Sequence, residues 1–406
     1  MISRDEAWAL LLPYLSPLPA ERVPRRAARG RVLAAGVAAT VDVPSADVSA
    51  MDGYALAGDR EPRARLPVAG RVVAGAAPGR VLPEGAALKI MTGAPLPVGA
   101  DRVAPFEHTD RGAETVEIAR PVAAGANVRR RGEVMEAGAP LLAAGGSLTP
   151  EALALAATHG LGELTVHRSP RVAVLTTGDE VLTPEETPKP GQLRDSHTDF
   201  LVAACAALGV AAEPLGIAPD EPRELGRQLA AGLDAADVLL VGGGVSAGEL
   251  DYVEEVLADL GCRSLFTSVA VQPGKPLTVA VRPAADDPHR RQRLVFGLPG
   301  NPGSVMVTFH LFVRPALARL HGHAAAAPHD RMLAGVLTAP VSAAKSRDLY
   351  LPARAVVRAG RFEVEPLAPR GSHDLLAHAR GNALVYVPAE TPAGEVGHAC
   401  QVLVLE

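Results

Sequence analysis

Five short strings between Thr177 and Ser304 combine glycine, proline, carboxylates and a single lysine in patterns that suit anion binding. Thr177, Gly178, Asp179 and Glu180 follow one apolar run, and Asp220 follows a second. Gly242, Gly243, Gly244, Val245 and Ser246 follow a third, with Asp251 a turn later. Pro273, Gly274, Lys275 and Pro276 make the fourth string, and Pro299, Gly300, Asn301, Pro302 and Ser304 the fifth. Glycines after a strand leave backbone N–H groups open to a phosphate, with no Cβ in the way. The start of a following helix adds partial positive charge. PGKP sets one lysine in a stiff turn where its ammonium can face an oxyanion, and GNP places an amide side chain before another helix. Glu180, Asp220 and Asp251 are carboxylates around that rim, and carboxylates beside phosphates commonly hold Mg²⁺. The expected ligand is a nucleotide or other phosphorylated compound with a divalent cation.

Each string alone has a plainer reading. A glycine triplet also makes an ordinary tight turn, and an aspartate after a strand, Asp220 included, also caps a helix. Asp237 opens a strand away from the rim and reads as structural. Arg129, Arg130 and Arg131 read as a solvated patch. No GxxxxGK[ST] string is present, and GGGVSA meets the looser GxGxxA form only after the third strand, so neither a P-loop nor a Rossmann fingerprint is expected. The histidines show no HExxH pattern, which argues against a zinc hydrolase.

The elements that must position these residues are legible in the spacing of apolar residues. From Arg171 onward, buried-strand runs alternate with amphipathic helices: RVAVLTT, a helix capped by Asp195 or Ser196 and stopped by Gly209, VAAEPLGIA, a helix starting near Pro222, DVLLV, a helix from about Asp251 to Leu260, SLFTSVAVQ, RLVFGL and a last helix through about Leu320. This alternation predicts a doubly wound, mostly parallel α/β sheet, and ligands bind such sheets outside the carboxyl ends of the strands. Residues 20–170 hold short alternating runs rich in Gly, Pro and Val and read as mainly β. HGHAAAAPHD (321–330) reads as a linker, and the remainder as a small all-β barrel or sandwich. The N-terminal MISRDEAWALL reads as a short amphipathic helix, with Ser3 as cap and Glu6 closing a capping box.

Composition sets the limits. At 406 residues the chain is too long for one core, and two to four domains are expected. Apolar residues are 48% but aromatics only 3%, so Ala, Val and Leu must do most of the packing. A net charge of −5 argues against a nucleic-acid protein. Cys205, Cys262 and Cys400 lie far apart and form neither a disulfide framework nor a metal-ligand spacing, which points to a reducing compartment. Acidic residues and prolines near the start do not read as a signal peptide, and no apolar run approaches the roughly 20 residues that span a bilayer. A cytoplasmic protein with no membrane contact follows by elimination. All cations but Lys89, Lys189, Lys275 and Lys345 are arginine, so a retained lysine is a candidate for a place that needs a compact charge.

Taken in order, SAMDGYAL (49–56), IMTGAP (90–95), NVRRRGE (127–133), TTGDE (176–180), GGGVSAGELD (242–251), PGKP (273–276), GLPGNPGS (297–304) and RGSH (370–373) resemble the MoeA and gephyrin E-domain family over nearly the whole chain. SAMDGYA and the pair PGKP with GLPGNP are quite specific, whereas GGGVS is shared with molybdopterin adenylyltransferases. The resemblance implies four parts: an extended segment from 1–44 and 145–170 with dimer contacts, a β-rich domain at 45–144, a MogA-like α/β domain at 171–322, and a C-terminal β-barrel at 327–406. It implies a homodimer whose cleft joins the α/β and C-terminal domains of one subunit to the second domain of the other. It implies a molybdenumtransferase that takes adenylylated molybdopterin and molybdate with Mg²⁺, inserts molybdenum into the dithiolene and releases AMP. A molybdopterin adenylyltransferase and acceptor proteins are the implied partners.

By the same resemblance, Glu180, Asp220 and Asp251 hold Mg²⁺ or the adenylate's phosphates, and the GGGVS amides cradle the phosphate. Lys275, Ser304, Arg347 and Ser372 bind molybdate, and Asp52 and Thr92 reach in from the partner subunit. The chain departs from the family's usual residues at Val134 (an acid elsewhere, leaving Glu133 and Glu136 nearby), Gln272 (lysine), Gly303 (valine) and His197 (asparagine). Three other readings stay open at this point: an adenylyltransferase, which needs only the α/β domain; a non-catalytic scaffold or carrier of the same fold; and a tungsten-inserting variant.

Overall fold

The structure is a computed structural model that describes residues 1–244, 252–285, 292–324 and 331–405. The chain forms two compact units, one of residues 1–23, 30–34 and 165–406, the other of residues 24–29 and 35–164. Helix α1 (Arg4–Leu11) opens the first unit. The Ser3 hydroxyl accepts from the Glu6 N–H at 3.2 Å, and the Glu6 carboxylate accepts from the Ser3 N–H at 2.8 Å, so the capping box is closed as the sequence predicts. Its buried residues Ala7, Trp8 and Leu11 join the core on one face of the α/β sheet.

The second unit is mainly β. Its five-stranded sheet runs Arg102–Pro105, Gly53–Leu56, Ala87–Ile90, Ala64–Val72, Thr115–Ile118. Side chains alternate across a strand. Tyr54 and Leu56 therefore enter one apolar cluster with Leu66 and Ile118, while Ala55 enters another with Val72 and Leu88. Both faces are covered, which is why all four residues of this strand are buried. The sequence reading has no helix here, yet α2 (Pro150–Thr158) forms, capped by the Thr149 side chain on the Ala152 N–H and started by Pro150. Its alanine-rich face carries little periodic signal. The arginine patch is exposed and ion-paired, Arg130 with Asp47 and Arg131 with Asp42.

In the first unit, β1 (Val172–Thr177), α3 (His197–Ala207), β2 (Ala212–Ala218), α4 (Pro222–Ala235), β3 (Val238–Gly242), α5 (Val253–Asp259), β4 (Arg263–Ser268), β6 (Pro276–Arg282) and β7 (Arg293–Leu298) build the α/β layer, and the short β5 (Val271–Gln272) lies between β4 and β6 in the chain but outside that sheet. The sheet order is β2-β1-β3-β7-β6-β4. The first four strands are parallel, and β6 runs antiparallel between β7 and β4. The doubly wound, mostly parallel sheet is thus as expected. Val172 and Val174 of β1 face the core shared with α3, while Ala173 and Leu175 face the core shared with α4 and α5. Strand β6 corrects the sequence reading, which assigns nothing to LTVAVR. A short buried run after a proline turn carries no mark of its direction, and only pairing supplies it.

The last helix is continuous but composite: α6 (Pro302–Thr308), a π turn over Phe309–Val313 and α7 (Arg314–Leu320). At α3 the cap is resolved. Ser196 occupies the cap position, while the Asp195 carboxylate accepts from the N–H groups of His197 and Thr198 at 2.8 and 3.2 Å. At α4 the cap is Glu221, which corrects the alternative reading of Asp220 as the cap. Asp237 is structural: buried, it accepts two bonds from Arg168 at 2.7 and 3.0 Å and one from the Arg171 N–H at 2.8 Å.

Beyond the α/β layer, β8 (Met332–Leu337), β9 (Asp348–Arg358), β10 (Arg361–Pro366), β11 (Ala383–Val387) and β12 (Ala399–Val404) follow one another in the order β9-β10-β8-β12-β11, and β11 pairs back onto β9. The choice between barrel and sandwich is settled as a closed five-stranded barrel. A short helix, α8 (Leu375–Arg380), interrupts it where the sequence reading has none. Strand β5 pairs in parallel with the start of β9, Val271 to Asp348 and Gln272 to Leu349, and so ties the PGKP turn to the barrel. No helix among the described residues is long and apolar enough to cross a membrane.

Candidate functional site

A cleft of about 510 Å³ lies between the PGKP turn, the start of α6 and the barrel. The β5–β9 pairing decides its shape, because it brings Arg347, just before β9, to Gln272. Arg347 donates to the Gln272 side-chain oxygen at 3.3 Å and to the Val271 carbonyl at 3.4 Å. Its guanidinium is thereby anchored in the wall that also carries Lys275, Asn301, Ser304 and Ser372. Two cations and two hydroxyls around one cavity form a receptor for a small oxyanion, since charge-assisted bonds to such groups are short and strong. A third cation lies behind the wall. Arg4 of α1 donates to the hydroxyl of Tyr350 at 2.7 Å and sits 5.2 Å from the centre of the Tyr386 ring. Burial pushes the Tyr350 phenol up, so it is neutral at physiological pH.

The turn that carries Lys275 tolerates no side chain at Gly274. Its φ is +114°, and a Cβ there would fall 2.7 Å from Thr308 Cγ2. Gly274→Ala is expected to distort the turn at a cost of about 1–3 kcal/mol and to weaken oxyanion binding, read by calorimetric titration with molybdate. Wild-type affinity in a folded Gly274→Ala protein would refute the dependence.

A second pocket, of about 700 Å³, occupies the carboxyl rim of the sheet. Thr177, Gly178, Glu180, Asp220, Gly243, Gly244, Gly300, Asn301 and Pro302 line it. Asn301 lines both pockets, so the two adjoin. Asp179 and Asp220 are locked by reciprocal backbone bonds: the Asp179 N–H donates to Asp220 Oδ2 at 3.4 Å, and the Asp220 N–H to Asp179 Oδ1 at 3.1 Å. Asp179 therefore serves to hold the Asp220 loop and does not line the pocket. The Thr177 hydroxyl is buried beside the glycine loop and has no hydrogen-bond partner among the described residues; a hydroxyl can both donate and accept.

Sequence reasoning passed over most of one wall, formed by Arg194, Asp195, Ser196 and His197. His197 was visible only as a departure from the family's asparagine. Its ring fills the space where a Cβ on Gly242 would stand, 2.9 Å from Nδ1. Burial lowers its pKa, so the ring is neutral at pH 7. Gly242 is thus a packing residue inside β3, and Pro299 is buried without lining either pocket. Val245, Ser246 and Asp251 lie outside the described residues. Among the described residues no group of three His, Cys, Asp or Glu side chains could hold a metal ion, although Glu180 and Asp220 share a pocket wall.

Asp52 and Thr92 belong to the other unit. Asp52 Oδ1 accepts from the Thr92 N–H at 2.7 Å and from the Thr92 hydroxyl at 2.8 Å. Those two bonds hold the exposed carboxyl below its ordinary range, fixed and charged at neutral pH.

Three family models match the chain in succession: the MoeA N-terminal region (domains I and II) at residues 2–160, a probable molybdopterin binding domain at 173–319, and the MoeA C-terminal region (domain IV) at 334–405. The chain is 39% identical over 330 residues to a molybdopterin molybdenumtransferase of Synechococcus elongatus, spanning 78% of this chain and 80% of that one. It is 34% identical over 391 residues to molybdopterin molybdenumtransferase 2 of Mycobacterium tuberculosis, spanning 94% of each. Among solved structures, the molybdopterin biosynthesis MoeA protein from Pyrococcus horikosii matches with a TM-score of 0.82 and 28% identity, covering 100% of this chain and 99% of that one.

Proposed function

The chain belongs to the MoeA family, and from that premise we propose that it transfers molybdenum from molybdate into adenylylated molybdopterin, with release of AMP. The observation that carries this reading is the adjacency of two pockets of different chemistry. One is a cationic, hydroxyl-lined cleft suited to a tetrahedral oxyanion, the other a glycine-rimmed pocket suited to a nucleotide, and Asn301 stands at their junction. A transfer between two anions needs both held side by side, because orientation removes the entropy of encounter.

In the proposed reaction, Lys275 and Arg347 hold molybdate by charge, and Ser304 and Ser372 orient it with hydroxyl donors. The Gly243 N–H is spent on the Leu298 carbonyl at 3.0 Å, so the Gly244 amide, with the Thr177 hydroxyl, holds the adenylate phosphate. Asn301 contacts both bound species. The oxygen donors Glu180 and Asp220 share one wall and fit a hard cation. With Asp251 they would hold Mg²⁺, which when bound neutralises phosphate charge. Asp52 and Thr92, pre-set by their mutual hydrogen bonds, act on the site of the partner subunit in a homodimer.

The test is molybdate-dependent AMP release from adenylylated molybdopterin. The purified protein should release AMP only when molybdate and Mg²⁺ are both present, and EDTA should stop release until Mg²⁺ is restored. Binding of the nucleotide without any release would favour a scaffold. Adenylylation of molybdopterin from ATP would favour an adenylyltransferase instead.

A further inference from the structure

Besides Tyr350, whose hydroxyl is taken up by Arg4, the oxyanion cleft contains one titratable side chain that neither its motifs nor the roles above employ. His378, on α8, lines the cleft together with Lys275, Ser304, Arg347 and Ser372. Its position depends on Gly303. A Cβ on residue 303 would stand 2.8 Å from His378 Nε2 and 2.8 Å from the Ser372 carbonyl oxygen, both impossible contacts. The Gly303 N–H donates to that same carbonyl at 2.8 Å, which draws the Ser372 loop onto the start of α6. Gly303 thus allows three things to meet in one wall: the α6 backbone, the Ser372 loop and an imidazole. Neither ring nitrogen of His378 is hydrogen-bonded to another described residue, which is unusual for a largely enclosed polar side chain.

We propose that His378 is a further oxyanion-binding residue of this cleft, seated there by the glycine at 303, and that it donates a hydrogen bond to the bound tetrahedral anion. This deepens the function proposed above and rests on it. A neutral imidazole can donate from one nitrogen, and an imidazolium donates from either and adds charge. A bound dianion favours the charged form, so binding takes up a proton wherever the ring is neutral beforehand. Burial holds the free ring below its ordinary value, against an opposing pull from Asp374 at the cap of α8. The other charged or titratable groups around it are Lys275, Arg347 and the neutral Tyr350 of the cleft lining and His310 on the π turn. None of these is a carboxylate, so among the described residues only Asp374, or else a bound anion, favours the imidazolium. Affinity for the anion is therefore expected to rise as pH falls.

The experiment is calorimetric titration of the full chain with molybdate at pH 6.5 and pH 8, on wild type, His378→Gln, His378→Leu, Gly303→Ala and Lys275→Met. Wild type should bind more tightly at the lower pH. His378→Leu should lose about tenfold in affinity, the usual consequence of deleting a donor to a charged group. His378→Gln should recover part of that loss while showing no pH dependence, which a purely packing role for the ring would not produce. A folded Gly303→Ala should behave like His378→Leu. Molybdate binding by His378→Leu and His378→Gln indistinguishable from wild type at both pH values would overturn the proposal. If Lys275→Met also binds normally, it is the assignment of the cleft that fails. If Lys275→Met loses binding while both His378 variants keep it, only the role of His378 falls.

Discussion

Lys275→Met is expected to lower molybdate-dependent AMP release by about a hundredfold or more, the scale seen when one fixed donor to a reacting anion is removed. The nucleotide should still bind, because Lys275 lines the oxyanion cleft and not the rim pocket. The thermal midpoint should hardly move, since the turn's shape comes from its flanking prolines and from Gly274, not from the ammonium. Lys275→Arg should restore little. An arginine fork is longer and planar, and the compact ammonium suits a position set between Pro276 and a glycine with no free space above it. The measurements are single-turnover AMP release, nucleotide titration and thermal unfolding. A variant that releases AMP at the wild-type rate would remove Lys275 from the site.

The other large effect concerns stability. Asp237→Asn should destabilise the α/β unit by about 3–5 kcal/mol, the cost of removing one partner from a buried ion pair. Asp237 is 5% exposed and meets two guanidiniums, Arg168 at 2.7 Å and the buried Arg293 at 3.6 Å. Its loss leaves Arg168 and Arg293 facing each other without their shared acid. The site also has a definite pH signature. Burial pushes the Asp237 carboxyl up, but the bonds from Arg168 and from the Arg171 N–H outweigh it and hold it below the ordinary range. A depressed folded pKa stabilises fully above the unfolded value of about 4. That stabilisation disappears as pH falls through the lower, folded value. The gap in urea midpoint between wild type and Asp237→Asn should therefore be constant near neutrality and close below about pH 4. An equal gap at pH 3 and pH 7 would show that the charge is not what matters.

The departures from family pattern acquire physical content from the structure. Gln272 departs from the lysine that the resemblance implies, and its amide oxygen receives Arg347. That amide oxygen helps hold the Arg347 guanidinium in place. Val134 is 66% exposed on the surface of the second unit, so a side chain of either character fits there. Gly303 and His378 go together, since any side chain at the first would displace the second.

Local sequence determined the elements and most of the rim. The continuous buried run Val172–Thr177, the capping box at Ser3 and Glu6, and the glycine and proline turns after successive strands are set by residues a few positions apart. Their chemistry is therefore written in the order of the residues. Asp237 was recognisable as structural for a similar reason, as an acid at the start of a strand and away from the carboxyl rim. Tertiary structure decided whatever depends on pairing between distant segments. The direction of β6 follows from its neighbours β7 and β4 and not from LTVAVR. The seating of Arg347 beside Gln272 follows from β5 joining the barrel through β9, across some seventy-five residues of chain. The approach of Arg4 to Tyr350 spans almost the whole chain. His378 lies in a run, LLAHAR, that carries no functional signature, and it enters the cleft only because α8 packs on a glycine in α6. Short-range geometry announces itself in spacing, whereas a site wall shared by a sheet, a barrel and two helices exists only once hydrogen-bond register and close packing have chosen which residues meet.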